Sequence, residues 1–316
     1  MKKVIVLLGP TGVGKTGASI LLAHELDTEI ISADSMQLYR GMDIGTAKPA
    51  KKELAEVRHH MIDIIGPAES YSAGQYIGAV TKIIEGLHKK NRIPVVVGGT
   101  GLYIKAMTRG LFSGPSADLL LRDELLLMEQ NSQGSLYSYL LSMDSEAAGK
   151  IQQNDIRRIV RAIEVCLKSR GKISMLQKKL TSALPYEFIR IGLTRDRKEL
   201  YRIIDERVEK MFEAGLMEEA EKILRQCPDR TAMQAIGYKE LKMYLDNEID
   251  KDEAVRLIKR NTRRYAKRQF TWFKKEEDII WIDVTGIFDS KMVFHSIKDT
   301  LKRVHPEVFP CNTAGR

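Results

Sequence analysis

Short apolar runs alternate with longer amphipathic stretches along the first hundred residues. The apolar runs predict strands at residues 4–8, 29–33, 61–65 and 94–97, with two more at 188–193 and 279–284. Between the first four lie helical stretches at 14–26, 51–57 and 73–89. Strands that are apolar throughout need cover on both faces, and β-α-β-α order supplies it, so the fold class is α/β with a parallel sheet flanked by helices. Ligands of such sheets sit at the carboxyl ends of the strands. Three loops fall there: 9–16, 32–37 and 98–103.

Residues 113–185 read differently. They open on the turn Ser113-Gly114-Pro115-Ser116, hold no strand pattern, and carry helical periodicity at 118–131, 135–141, 144–150 and 155–169. This predicts a helical insertion at 113–185 within a core made of 1–112 and 186–316. Further helices are expected at 198–214, 218–225, 236–245, 252–270 and 291–304.

The 316 residues suffice for one large or two modest domains with a real core. No run approaches the roughly eighteen apolar residues of a membrane span. The N-terminus reads as a core strand and not a secretory signal, because the glycine loop begins where a signal would be cleaved. Cys166, Cys227 and Cys311 are isolated, so a reducing cytoplasm is expected. The net charge of +9 is concentrated. Arg256, Lys259, Arg260, Arg263, Arg264, Lys267, Arg268, Lys274 and Lys275 occur with no acidic residue among them. Such a patch points to a polyanionic partner.

Gly9-Pro10-Thr11-Gly12-Val13-Gly14-Lys15-Thr16 follows the first strand and opens the first helix. This strand–loop–helix context makes it a phosphate loop: backbone amides and the helix N-terminus cradle oxygen anions. Lys15 adds a charge and Thr16 a hydroxyl for Mg²⁺. Asp34 ends the second strand beside that loop. It fits a metal ligand, a general base or a helix cap. The fourth strand ends in Gly98-Gly99-Thr100-Gly101 without an acidic residue. Arg207 stands on the apolar stripe of its helix with Leu200, Ile203, Ile204, Val208 and Met211, which implies a buried carboxylate or a ligand phosphate. Around 154–161, Arg157 and Arg161 lie opposite the apolar face, either as a phosphate clamp or as a solvated basic face. The helix at 252–270 keeps Val255, Ile258, Thr262, Tyr265 and Gln269 on one stripe and its basic residues on the other side. Tyr265, Phe270, Trp272 and Phe273 are interleaved or adjacent, a mixture suited to phosphate contacts and base stacking, preferably on RNA.

These strings together resemble the tRNA dimethylallyltransferase (tRNA isopentenyltransferase) family in its bacterial form. The resemblance rests on the phosphate loop, on residues 32–49 (Ser-Ala-Asp-Ser-Met-Gln-Leu-Tyr-Arg-Gly-Met-Asp-Ile-Gly-Thr-Ala-Lys-Pro), and on the segments 59–63, 97–103, 154–161, 235–240 and 262–269. One departure is Leu119-Leu120-Leu121-Arg122, where the family has a proline after Ser-Ala-Asp. The resemblance implies a P-loop kinase-like fold and transfer of a dimethylallyl group from dimethylallyl diphosphate to N6 of the adenosine 3′ of the anticodon. The phosphate loop, residues 9–16, then holds the diphosphate, with Mg²⁺ near Thr16. Asp34 is the base, and Thr100 and Arg207 are its catalytic partners. The resemblance further implies that the tRNA anticodon stem-loop meets Asp34, Ser35, Met36, Gln37 and Thr100 at the base. It meets Arg122, Gln153, Asn154, Asp155, Arg157, Arg158 and Arg161 on the insertion. It also meets Gly237, Tyr238, Lys239, Arg263, Arg264, Lys267 and Arg268. A monomer without stable protein partners or membrane attachment is expected. A kinase shares the loop but leaves the basic helix unexplained. A prenyltransferase of free adenine nucleotides would dispense with that helix. An RNA-binding protein that only senses a phosphate ligand would not need Asp34.

Overall fold

The computed structural model describes residues 1–179 and 181–309, so Cys311 lies outside the described residues. The strands are β1 (Lys3–Leu8), β2 (Ile30–Ala33), β3 (His59–His60), β4 (Val95–Gly98), β5 (Leu111–Phe112), β6 (Thr181–Ser182), β7 (Glu187–Thr194) and β8 (Ile279–Asp283). The helices are α1 (Lys15–Glu25), α2 (Lys51–Glu56), α3 (Ala73–Lys89), α4 (Gly101–Thr108), α5 (Leu119–Asn131), α6 (Ser135–Met143) and α7 (Ser145–Lys150). They continue with α8 (Ile156–Ser169), α9 (Ile173–Lys179), α10 (Arg197–Glu213), α11 (Leu216–Leu224), α12 (Tyr238–Leu245), α13 (Lys251–Phe273) and α14 (Ser290–Val304).

The chain divides into two compact units, one made of Met1–Ile104 with Pro185–Arg316, the other of Lys105–Leu184. The first contains a six-stranded sheet in the order β3-β2-β4-β1-β7-β8, parallel throughout. Ile5, Leu7, Val95, Ile191 and Leu193 are sealed on the sheet, and α1, α10 and α14 cover it with Ala18, Leu22, Ile204, Ile297 and Leu301. The register matters for the site. Leu8 pairs with Gly98, and Gly98 pairs with Ala33. The ends of β1, β4 and β2 therefore stand in one row, and the loops after them emerge side by side.

Two expected features are corrected. The strand expected at 61–65 is a two-residue strand at His59–His60, because Met61 and Asp63 take positive φ (63° and 56°) and leave the extended region. Ile65 keeps only an isolated bridge to Tyr39. The insertion also contains strand: Leu111 and Phe112 pair antiparallel with Ser182 and Thr181. The compact helical unit runs from Lys105 to Leu184 and so begins within α4, earlier than the expected 113. Among the described residues, no helix is long and apolar enough to cross a membrane.

The helical unit has its own core of Leu125, Leu136, Leu140, Ile159 and Ile163. Within it lies Glu164, fully buried. Arg122 grips its carboxylate with two nitrogens at 3.0 and 2.8 Å, Arg161 adds another contact, and the Asp118 amide donates at 2.6 Å. Burial acts to raise this carboxyl, but those donors outweigh it and hold the group down at about 2. Arg122 and Arg161, expected to face RNA, are partners of Glu164 and keep 32% and 35% of their side chains exposed. Gln153, Asn154 and Arg157 are exposed, while Asp155 caps α8 through the Arg158 amide.

A depressed carboxyl stabilises the fold at pH above its unfolded value of about 4.5, and that stability is lost as pH falls through about 2. Glu164→Gln should therefore lower the unfolding free energy by about 3 kcal/mol at neutral pH. Denaturant titrations of the variant should also lose the acid sensitivity that the unmodified chain shows in that window. Equal denaturation midpoints at pH 7 would refute the role of this cluster.

Candidate active site

The phosphate loop leaves β1 and ends where Gly14, at φ 109°, caps α1 in the left-handed region. An L side chain is strained there, which fixes glycine before Lys15. The first amides of α1 have no intrahelical acceptors and face the cavity that follows. Val13 faces inward and is fully buried in the core. The Lys15 ammonium donates to the carbonyls of Gly9 at 2.9 Å and Pro10 at 2.8 Å. Burial lowers it to about 7, with the Asp34 charge opposing and Arg207 reinforcing the shift.

Arg207 comes from α10, whose Leu200, Ile204 and Val208 pack inward. Its guanidinium donates to the Thr11 hydroxyl at 3.2 Å. Among the described residues no carboxylate forms an ion pair with it, so it is a cation aimed into the cavity. Desolvation lowers its pKa, and the Asp34 charge works against that.

Asp34 follows Ala33 and so stands next to both Gly98 and the phosphate loop. Its Oδ1 accepts from the Met36 amide at 2.9 Å. Burial raises its carboxyl above the usual range, although that amide and Lys15 pull the other way. Thr100 is tied beside it. Its amide donates to the Ala33 carbonyl at 3.0 Å, and its hydroxyl accepts from the Ser35 amide at 3.0 Å. Gln37 is oriented by the Ser32 hydroxyl, which donates to Gln37 Oε1 at 2.9 Å.

Lys15, Arg207, Asp34 and Gln37 open on a cavity of about 370 Å³. Thr11, Lys15, Thr16 and Arg207 line its cationic side; Asp34 and Gln37 line another part; Ile30, Val97, Ala47 and Pro49 add apolar wall. Thr16 and Asp34 are the groups of this cavity able to serve a divalent ion, with Glu206 also on its lining. One hydroxyl and isolated carboxylates make an incomplete cage. They suit Mg²⁺, which keeps several waters and takes its other ligands from a substrate's phosphate oxygens.

Two positioning residues were not legible in the sequence. Glu219 of α11 accepts from the amides of Asp43, Ile44 and Gly45 at 2.9, 2.8 and 2.9 Å, and from the Tyr238 hydroxyl at 2.6 Å. It pins the segment that carries Ala47 and Pro49 to the cavity wall. Gln269 of α13 holds the Thr11 amide at 2.9 Å. Tyr238, expected at an RNA surface, is instead fully buried under that pinned segment, and Gly237 is buried beside it; Lys239 is exposed.

The basic face of α13 is smaller than its composition implies. Arg263 meets Asp205 at 2.6 Å and Lys259 meets Glu209 at 2.6 Å, both on α10, while Arg256 meets Glu253. Arg264, Lys267 and Arg268 stay exposed, without an ion pair among the described residues. The aromatics are also engaged internally. Phe273 is fully buried, Phe270 packs edge-on against Trp281 at 5.7 Å, and Trp272 lies against Gly101.

The sequence matches the family model "IPP transferase" over residues 37–276. The chain belongs to the IPP transferase family. The tRNA dimethylallyltransferase of Thermodesulfovibrio yellowstonii is 51% identical over 310 residues, covering 96% of this chain and 98% of that protein. That of Thermotoga maritima is 44% identical over 309 residues, covering 97% and 99%. The solved tRNA isopentenylpyrophosphate transferase of Bacillus halodurans aligns with a TM-score of 0.70 and 40% identity over 96% of this chain and 98% of its own. A eukaryotic dimethylallyltransferase described as acting on tRNA aligns at a TM-score of 0.80 and 27% identity, covering 96% of this chain and 80% of its own. The matched family region includes Gln37, Glu219 and Gln269.

Removing the Glu219 carboxylate strands three amides and a buried hydroxyl. Glu219→Ala should cost about 2 kcal/mol and accelerate amide hydrogen exchange at Asp43, Ile44 and Gly45. Unchanged exchange at these amides would show that the segment holds its shape without Glu219.

Proposed function

We propose that this chain transfers the dimethylallyl group of dimethylallyl diphosphate to N6 of the adenosine 3′ of the anticodon in tRNA, releasing diphosphate. The observation that carries this reading is one cavity with a cationic side at Lys15 and Arg207 and the Asp34 carboxylate beside it. A phosphate loop alone suits any nucleotide enzyme. A proton acceptor placed against it, with no acidic residue at the end of β4, suits alkylation of a weak nucleophile.

The chemistry follows from the side chains. The allylic C–O bond breaks and its electrons leave with the diphosphate, where the α1 amides, Lys15 and Arg207 offset the developing charge. Thr16 would hold a Mg²⁺ ion here, and that ion would supply further charge stabilisation to the leaving group. The new N–C bond forms at N6, whose lone pair is otherwise delocalised into the purine ring. Asp34 takes the N6 proton, and its raised pKa makes it a better acceptor near neutral pH. Thr100 and Gln37 position the base, and Ile30, Val97, Ala47 and Pro49 enclose the five-carbon tail. The adenosine leaves its stack to enter the cavity.

Incubation with Mg²⁺, radiolabelled dimethylallyl diphosphate and unmodified tRNA should place label on tRNA adenosine. ATP turnover without label transfer would overturn the reading in favour of a kinase. Asp34→Asn should slow single-turnover transfer by about a thousandfold. The unmodified enzyme should lose rate as pH falls through the Asp34 pKa, at a limb above the ordinary 3.8, because only the carboxylate accepts the proton. A variant that keeps both rate and limb would remove Asp34 from the base role.

The exposed cations of α13 make a separate prediction. Replacing Arg264 and Lys267 with alanine should reduce the salt slope of tRNA binding by about 2. Arg263→Ala should leave the slope nearly unchanged and lower stability, since its guanidinium already serves Asp205. A larger slope change for Arg263 than for Arg264 would contradict this division.

A further inference from the structure

Gln269 is a polar residue on the buried face of a helix, only 6% exposed. Its amide is used at both ends. The carbonyl oxygen accepts from the Thr11 amide at 2.9 Å, and the nitrogen donates to the Gly99 carbonyl at 3.0 Å. One side chain thus ties together the phosphate loop, the loop after β4 and α13, which are 170 and 258 residues apart in the chain. Two neighbours show how closely the space is fitted. A Cβ on Gly99 would fall 2.1 Å from Gln269 Nε2, so glycine is required for the amide to reach that carbonyl. Tyr265, one helical turn earlier on the same face, interacts with both Thr100 and Gln269.

The contacts at Thr11 reassign that residue. Its amide is taken by Gln269 and its hydroxyl receives Arg207. Thr11 therefore sits in the phosphate loop as a connector and offers no free amide to an anion. Fixing the Thr11 amide fixes the shape of the loop, and the Thr11 hydroxyl then fixes the guanidinium of Arg207. A leaving group is stabilised best by donors already aimed before it arrives, because reorganisation during reaction costs rate.

We propose that Gln269 is a positioning residue of the diphosphate site. From the inner face of the helix whose outer face carries Arg264, Lys267 and Arg268, it sets the shape of the phosphate loop and, through Thr11, the direction of Arg207. It does not touch the reacting atoms. This inference rests on the reading of the cavity as a diphosphate site, and it does not require the transferred group to be dimethylallyl.

Gln269→Met keeps the volume and flexibility of the side chain and removes both hydrogen bonds. Isothermal titration with inorganic diphosphate in the presence of Mg²⁺ should show affinity about thirtyfold weaker than in the unmodified chain. Affinity for an unmodified anticodon stem-loop should stay within about twofold, since the outer face of α13 is untouched. In steady state, transfer should show a raised KM for dimethylallyl diphosphate and a lowered kcat, with KM for tRNA unchanged. A merely structural glutamine would weaken both ligands together or neither, and either result overturns the proposal. The unmodified protein supplies a test that needs no variant. The Thr11 amide should be protected from hydrogen exchange in the ligand-free chain, and exchange at the rate of an open loop would overturn the proposal even if the variant fails to fold. Wild-type protein that binds diphosphate with this Gln269 dependence but transfers no prenyl group would leave Gln269 in its role and defeat the dimethylallyl reading alone.

Discussion

The site depends on one alignment. Leu8, Gly98 and Ala33 share a row across three parallel strands, so the phosphate loop, the Gly99–Thr100 turn and Asp34 leave the sheet at one level. A slip of one residue in β2 would turn its side chains to the opposite face and carry Asp34 away from the anion cradle. The apolar character of β1, β2 and β4 resists such a slip, because each strand is buried and their order is fixed by the crossovers of α1 and α3. Catalytic geometry is thus inherited from core packing.

Charge is distributed by the same logic. Cations with a structural duty have a fixed anionic partner: Arg122 and Arg161 on Glu164, Arg263 on Asp205, Lys259 on Glu209. Among the described residues Lys15 and Arg207 have none, and desolvation lowers both. An unpaired buried cation is costly unless something neutralises it. On the proposed reading, a diphosphate would do so with two adjacent phosphoryl groups and would recover on binding the cost of holding these cations apart from carboxylates. Asp34 is close enough to influence both cations without pairing with either. This leaves its carboxylate available as a proton acceptor.

The sequence revealed the parts of this arrangement that are local. The phosphate loop is contiguous and its glycines obey a backbone requirement, so it was readable, and so was Asp34 at a strand end. Arg207 stood out because a guanidinium broke an apolar stripe of period 3.6. The acceptors that organise the site were not readable, because they pair across long stretches of chain. Nothing near Glu219 announces that it will collect the amides of residues 43–45, some 175 positions away. The basic helix misled for the same reason. Its own segment has no acidic residue, yet Asp205 and Glu209 reach it from α10, and its aromatics turn inward to Trp281 and Gly101. The two-residue β3 was displaced because positive φ at Met61 and Asp63 is a backbone property that an apolar run does not disclose.

The long helix α13 resolves a mechanical problem of tRNA modification. On the proposed reading, a large polyanion is held by exposed surface cations, while the leaving group needs donors fixed in advance. Loops joining the two would transmit little. A single 23-residue helix places Arg264, Lys267 and Arg268 on one side and Tyr265 and Gln269 on the other, within two turns. Its backbone is rigid, and its inner face is anchored by Ala266 and Phe273, both closed to solvent. Tyr265 reaches Thr100 and Gln269 reaches Thr11, so the two loops that must agree in position are referred to the same rod. On the proposed reading, the face that carries the exposed cations and the face that shapes the anion site share one frame, so that a base brought to Asp34 would arrive at a fixed distance from a bound diphosphate.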